Sequence, residues 1–119
     1  YGTMINQALA AARLLEQKNI SAEIIKLGVI KPNNFVQVLT SVKKTGRLIA
    51  AEDVCSSGCV GERIVAAAAQ GGVEIDRTML LNLGDGIVGH GRVEELLRDR
   101  GLDAAGIAKA AEKICTENG

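Results

Sequence analysis

Apolar and polar residues alternate along the chain in two patterns, one typical of amphipathic helices and the other of buried strands. Thr3 is the predicted N-cap of a first helix, which ends near Asn19, a residue that tolerates the left-handed conformation. The apolar face of this helix is predicted at Ile5, Ala8, Leu9, Ala12 and Leu15. The mostly apolar run AEIIKLGVI (22–30) then predicts a first strand, because it is rich in β-branched residues.

The same alternation of helix and strand continues through the middle of the chain. Pro32 opens a second predicted helix, which closes at Gly46 after two lysines. Its apolar face comprises Phe35, Val38, Leu39 and Val42. The segment RLIAAE (47–52) is apolar on both faces, as expected for a parallel strand covered by helices on both sides. A third helix over residues 61–70 and a strand TMLLNL (78–83) follow.

The carboxyl-terminal third is predicted to be helical. A short helix carries Val93, Leu96 and Leu97, and a last helix begins after its N-cap Asp103. That helix has Ile107, Ala111 and Ile114 on its apolar face. Leu102 precedes the cap and stands where it can pack against Ile107 as a hydrophobic staple.

This order of elements predicts an α/β fold, a three-layer sandwich with a mostly parallel sheet and helices on both faces. An α/β unit of this kind usually begins with a strand, whereas this chain begins at the turn into a helix. We therefore expect Tyr1 to lie at the end of a truncated strand that precedes the first helix, and the chain to be a single domain, 1–119, taken from a longer protein.

Composition excludes several classes of protein. A chain of 119 residues that is 47% hydrophobic is the size of one ordinary domain. Its 14 basic and 14 acidic residues balance, and only 2% of residues are aromatic, so no nucleic-acid partner is expected. No apolar run approaches the roughly 20 residues that span a bilayer. Three cysteines without a secretion signal indicate reduced thiols, so the expected location is cytoplasmic, away from membranes.

The loop DVCSSGCVG (53–61) is the first candidate site. Cys55 and Cys59 are separated by three residues, as in a metal-binding loop, but a structural zinc site needs four ligands. The other candidates, Cys115 and His90, lie far away in the sequence. Small buried thiols are therefore favoured over a metal site, with a redox pair across Cys55 and Cys59 as the alternative.

The segment GDGIVG (84–89) matches the dinucleotide fingerprint G-x-G-x-x-G. The fingerprint requires a second strand ending in an acidic residue about 20 positions on, whereas only helices are predicted after this segment. A glycine-rich turn is the favoured interpretation, with Asp85 satisfying backbone donors. The lone His90 beyond it is of a residue type that can act as a general acid or base near neutral pH. No orienting carboxylate or nucleophile is visible in the sequence, so a hydrogen-bonded loop role is favoured.

The ordered segments YGTMINQALAAARLLEQKNISAEIIKLGVIKPNN and VKKTGRLIAAED resemble the carboxyl-terminal domain of transketolase-like thiamine diphosphate enzymes. The ending LNLGDGIVGHGRVEELLRDRGLDAAGIAKAAEKI is similar to the end of the 1-deoxy-D-xylulose-5-phosphate synthase family. The residues that carry this narrower likeness are Leu83, Asp85, His90, Gly91, Leu96, Leu97 and 101–107. The chain departs from the family at Cys59 and Val60, where Gly-Phe is usual, and at Gly84, where proline is common.

The resemblance implies that the parent enzyme uses thiamine diphosphate and magnesium to decarboxylate pyruvate and to transfer a two-carbon unit to glyceraldehyde 3-phosphate, in isoprenoid precursor synthesis. It implies that two preceding domains hold the cofactor and the metal. The family's metal motif also begins GDG but continues to paired asparagines, which the stretch AGIAKAAEKI lacks. No catalytic, cofactor-binding or metal residue is therefore expected in this chain.

The expected role of the domain is assembly with its two preceding domains and with a second protomer in a homodimer. Strand carboxyl ends usually carry the functional surface of an open α/β sheet, which selects Glu52, Ser57, Gly58 and His90 as interdomain contacts. Two alternatives remain open. One is the equivalent domain of a transketolase or a 2-oxo-acid dehydrogenase beta subunit, against which the ending GLDAAGI argues. The other is an autonomous nucleotide-binding α/β module with its site at 84–89.

Overall fold

The computed structural model describes residues 4–28, 35–85 and 93–116. These residues form five α-helices and two β-strands, in the order α1 (Met4–Glu16), α2 (Val36–Thr45), β1 (Arg47–Ala51), α3 (Val60–Gln70), β2 (Arg77–Leu81), α4 (Val93–Asp99) and α5 (Ala104–Thr116). Every predicted helix is present, as are the second and third predicted strands. No helix within these three ranges is long and apolar enough to cross a bilayer.

The two strands pair in parallel, and α3 is the crossover between them. Their register runs from Arg47 opposite Arg77 to Ala51 opposite Leu81. Because successive strand residues point to opposite faces, each strand contributes to two separate cores. Leu48 packs into one apolar cluster, and Ile49 packs into the other.

Helices cover both faces of this sheet. The cluster on the α2 and α3 side contains Phe35, Val38, Val42, Leu48, Val60, Ile64, Ala68 and Val73. The cluster on the α1 and α5 side contains Ala11, Leu15, Ile107, Ala108 and Ala111, with Ile49, Ala51 and Leu81 packed against it. The predicted α/β sandwich of three layers is confirmed.

The predicted first strand, 22–30, is wrong within the residues that the structure describes. Residues 22–28 are not a strand, and β1 pairs only with β2 in the described sheet. A cavity of about 460 Å³ is bounded by this segment on one side and by β1 on another. The segment is attached through side chains instead, because Ile25 and Leu27 pack against the α2 and α3 cluster. Glu23 also accepts a hydrogen bond from Ser41 on α2.

The apolar face of α1 differs from the one that the spacing predicts. Met4, Ala11 and Leu15 are the buried residues of this helix, whereas Leu9 is 41% exposed. The reason is tertiary, since α1 packs mainly on α5 and this contact selects the stripe through Ala11 and Leu15. The predicted helix end is confirmed, because Asn19 adopts a left-handed φ of 60°.

The contacts at the corner between α4 and α5 account for residue types in the sequence GLDAAGI. The predicted N-cap of α5 is confirmed, because Asp103 Oδ1 accepts a hydrogen bond from the Gly106 N–H at 2.9 Å. Gln7 on α1 accepts a second one, from the Ala104 N–H at 2.8 Å. A Cβ atom on Gly106 would lie 2.6 Å from the backbone of Gly101, so only glycine permits this close approach.

Candidate functional site

The loops that follow β1 and β2 lie side by side at the carboxyl-terminal edge of the sheet. We call residues 52–59 and 82–85 together the loop edge. Hydrogen bonds between the two segments continue past the strands, because the Glu52 N–H donates to Leu81 O and the Leu83 N–H donates to Val54 O, both at 2.9 Å. Carboxyl-terminal strand ends are where open α/β sheets usually bind ligands or partners, so the chemistry of this edge decides the function.

Glu52 lies beneath the loop edge and is 3% exposed. Its Oε1 accepts a hydrogen bond from the Val60 N–H and its Oε2 accepts one from the Gly61 N–H, both at 2.8 Å. These are N–H groups of the first turn of α3, where a carboxylate also interacts favourably with the helix dipole. A Cβ atom on Gly61 would lie 2.7 Å from Leu80 Cδ2, so glycine lets α3 approach the sheet closely enough for this contact.

Asp85 joins the second loop to the first. Its Oδ1 accepts a hydrogen bond from the Ser57 N–H and its Oδ2 accepts one from Ser57 Oγ, both at 2.8 Å. We call these two hydrogen bonds the loop clamp. The expectation that Asp85 satisfies backbone donors is confirmed, although the donor belongs to the other loop, 28 residues away. The hydrogen bond from the Ser57 backbone, followed by that from its hydroxyl, lowers the pKa of Asp85.

The lowered pKa of Asp85 gives a prediction about the pH dependence of the loop clamp. A carboxyl group whose pKa is lower in the folded state stabilises that state at neutral pH, and this contribution is lost as the pH falls through the folded pKa. A carbon-13 NMR titration should therefore give Asp85 a midpoint below that of an ordinary aspartate. Ser57→Ala should raise this midpoint part of the way, since the backbone donor remains. An unchanged midpoint in Ser57→Ala would contradict the hydroxyl contact.

Glu62 supplies a third carboxylate, which sequence reasoning missed. It lies in the first turn of α3, and its Oε2 accepts a hydrogen bond from the Gly58 N–H at 3.0 Å. The signal was present, because Glu62 follows the N-cap Cys59 by three residues, the spacing at which a capping-box glutamate reaches back toward the helix start.

A glycine-containing loop between a strand and a helix can bind a phosphate group through its backbone N–H groups, and these contacts show whether such groups are available after β1. Five donors of the segment Ser57–Gly61 are already bonded to three carboxylates, those of Glu52, Glu62 and Asp85. A phosphate would have to displace groups of its own charge from buried or clamped positions. The chain therefore fills its own anion-binding positions, and the arrangement favours a structural loop.

The cysteines of this loop have different environments. Cys59 is 3% exposed, and burial raises the pKa of its thiol. Cys55 is exposed, with its Sγ 3.6 Å from Ser57 O. The expectation of two buried thiols is therefore wrong for Cys55, which lies on the outer side of the loop. Both thiols are free. Across residues 4–28, 35–85 and 93–116, no cluster of three or more His, Cys, Asp or Glu side chains has the arrangement of a metal site.

The structure brings three of the four predicted contact residues to one edge. Ser57 and Gly58 are exposed on the loop edge, and Glu52 lies directly under them with its carboxylate bonded inside the chain. Gly58 has a left-handed φ of 74°, and no described atom lies within 4 Å of the position that a Cβ would occupy there. His90 and residues 86–89 of the glycine-rich segment lie outside the described residues.

Comparison with known proteins identifies the family. Residues 1–107 match the family model described as transketolase, C-terminal domain. The chain belongs to this family. Curated relatives include 1-deoxy-D-xylulose-5-phosphate synthase 1 of Geobacter sulfurreducens, which is 34% identical over 118 residues, 99% of this chain and 18% of that protein. The 1-deoxy-D-xylulose-5-phosphate synthase of Gloeobacter violaceus is 32% identical over 117 residues, 98% of this chain and 18% of that protein.

A solved structure agrees with this assignment. It is described as a split gene transketolase, inactive beta4 tetramer, and it superposes with a TM-score of 0.84 at 26% identity, covering 94% of this chain and 36% of that chain. The transketolase C-terminal fold expected from the sequence is thereby confirmed. This transketolase C-terminal domain spans about 18% of the length of the curated relatives named above, and it is related to their corresponding regions.

Proposed function

We propose that this chain is the third, carboxyl-terminal domain of a 1-deoxy-D-xylulose-5-phosphate synthase, and that its task is assembly. The observation that carries the proposal is the match of nearly the whole chain to about 18% of two synthases of that name. The geometry at the loop edge and the start of α3 supports an assembly role, because the N–H groups of Ser57, Gly58 and Val60 are bonded to the chain's own carboxylates and are not free to bind a substrate phosphate.

In this proposal the parent condenses pyruvate with glyceraldehyde 3-phosphate and releases CO₂. Thiamine diphosphate and magnesium would supply the chemistry of decarboxylation, held by the two preceding domains. The described residues do not fit the metal of that cofactor, because among them no group of three or more His, Cys, Asp or Glu side chains is arranged to hold a metal ion. Asp85, the acidic residue of the GDG sequence, is bonded to Ser57 instead. We assign no catalytic step to this domain.

Ser57, Gly58 and His90 are proposed as contacts with the preceding domains or with the second protomer of a homodimer. Ser57 and Gly58 are exposed, and the open space at Gly58 leaves room for a neighbouring backbone. Glu52 would contribute from beneath, by holding α3 and the loop in place. A stable assembly of this kind is expected to bury more than about 1,000 Å².

The test compares the parent with its domain. We expect the reading frame that contains this sequence to encode, upstream, a GDG motif followed by paired asparagines. The protein from that frame should release CO₂ from pyruvate in the presence of glyceraldehyde 3-phosphate, thiamine diphosphate and magnesium. The 119-residue chain should release none under the same conditions. Pyruvate turnover by the short chain alone would contradict the proposal, and so would its micromolar binding of NAD or ATP in calorimetry.

The second candidate is the equivalent domain of a transketolase, which the structural similarity to a split gene transketolase favours. The two enzymes differ in their donor substrate. A synthase consumes pyruvate and releases CO₂, whereas a transketolase moves a two-carbon unit between sugar phosphates without releasing CO₂. Ketose-dependent transfer by the full-length protein, without CO₂ from pyruvate, would favour the transketolase.

A further inference from the structure

The tip of the loop edge is held mainly by polar contacts. Residues Cys55, Ser57 and Gly58 are exposed, so little apolar burial fixes their conformation. The contacts that hold the tip are the loop clamp, the bond from the Gly58 N–H to Glu62, the bond from the Ser56 N–H to Gly84 O at 3.3 Å, and the turn in which the Cys59 N–H donates to Ser56 O at 3.2 Å. The bond from Ser56 to Gly84 joins the two loops through their backbones, and the loop clamp is the contact that fixes the side chain and the N–H of Ser57 against the second loop.

We propose that Asp85 is a positioning residue, whose hydrogen bonds to Ser57 join the two loops into one preformed docking surface for the rest of the parent protein. This inference rests on the proposed function, in which Ser57 and Gly58 contact that remainder. The loop clamp has the geometry for this role, because one carboxylate accepts from both the backbone and the side chain of the same residue. Such a pair restricts both the position and the orientation of Ser57.

Because the loop clamp holds the loop in one conformation, it should affect the affinity of docking as well as the local order of the loop. A loop that is already in its bound conformation loses less conformational entropy when a partner binds. If Asp85 were removed, Ser57 and Gly58 would sample other conformations. Glycine has more backbone conformations available than any other residue type, so the effect at Gly58 should be large. The partner would then have to order the loop, which weakens its binding.

The first experiment measures amide hydrogen exchange in the 119-residue chain. Asp85→Ala should speed exchange of the amides of residues 56–58 about tenfold, an effect of the size expected for one lost hydrogen bond, with no change in β1 or β2. The matched control is Asp99→Ala, which removes another exposed carboxylate, at the end of α4. Asp85→Asn should restore slow exchange, because its amide can accept from the Ser57 N–H and donate to Ser57 Oγ. Equal exchange in Asp85→Ala and wild type would overturn the positioning role.

The second experiment repeats the exchange measurement in the full-length parent. Docking should slow hydrogen exchange of the amides of residues 56–58 by a further factor of about ten in the wild type. Asp85→Ala should remove most of this additional protection, and Asp85→Asn should retain it. If Asp85→Ala loosens the short chain but leaves protection in the parent intact, the docking inference is overturned while the proposed function stands. If the wild-type parent shows no added protection at this loop, both the inference and the proposed contact surface are overturned, whatever the parent's synthase activity.

Discussion

Replacing Glu52 with alanine is expected to lower the free energy of unfolding by about 3 kcal/mol, because two backbone N–H groups lose a charged acceptor. Glu52 is 3% exposed, and its two oxygens accept from the Val60 and Gly61 N–H groups at 2.8 Å. Water has little access to the vacated position, so these donors would stay poorly satisfied. Urea denaturation of the 119-residue chain, followed by circular dichroism, measures the change.

Glu62→Ala is the matched control for the Glu52 prediction. It removes a side chain of the same type, from the first turn of α3, and frees one backbone donor, that of Gly58. Glu62 is exposed, so water can replace it. We expect a cost below about 1 kcal/mol for this variant. Glu52→Gln, which keeps one acceptor oxygen, should fall between the two. Equal costs for Glu52→Ala and Glu62→Ala would show that burial of Glu52 contributes nothing.

Leu102→Ala is expected to destabilise the domain by about 3 kcal/mol, through the lost burial and the cavity that remains. Leu102 has a relative exposure of 0% and stands at the corner between α4 and α5, directly before the cap that starts α5. The thermal midpoint should fall by about 10 °C in a scan of the same chain.

Leu9→Ala is the control for Leu102, since it makes the same substitution at a site that is 41% exposed. Its expected cost is below about 1 kcal/mol, because little apolar surface returns to water. Leu102→Met should also be tolerated better than alanine, since it keeps most of the volume. A fall in the midpoint of equal size for Leu9→Ala and Leu102→Ala would mean that the corner does not contribute to the core.

Elements with strong local signals were predictable from the sequence. Gly46 ends α2 with a left-handed φ of 69°, and Asp103 caps α5, as their residue types indicate. Both features depend on residues within one helical turn, so the local sequence contains the information. The ordered segments of the whole chain likewise indicated the family that the family model confirms.

Elements that depend on a partner were not predictable in the same way. Residues 22–28 have the composition of a strand, yet a strand requires a neighbour with which to form its hydrogen-bond ladder, and β1 pairs with β2. The spacing on α1 allowed Leu9 as a core residue, whereas packing against α5 buried Met4, Ala11 and Leu15.

The sequence by itself indicated the family, through the resemblance of its ordered segments to known enzymes. It also determined the three-layer α/β class and the helix ends, because these follow from periodicity and from residues close together in the chain. Only the tertiary structure decided how the loop edge works. The bonds of Glu52 to the start of α3 depend on how closely α3 packs on the sheet at Gly61. The bonds of Asp85 to Ser57 depend on the parallel pairing that places the ends of β1 and β2 side by side. Ser57 and Asp85 are 28 residues apart, and no local preference of either residue specifies the other as its partner.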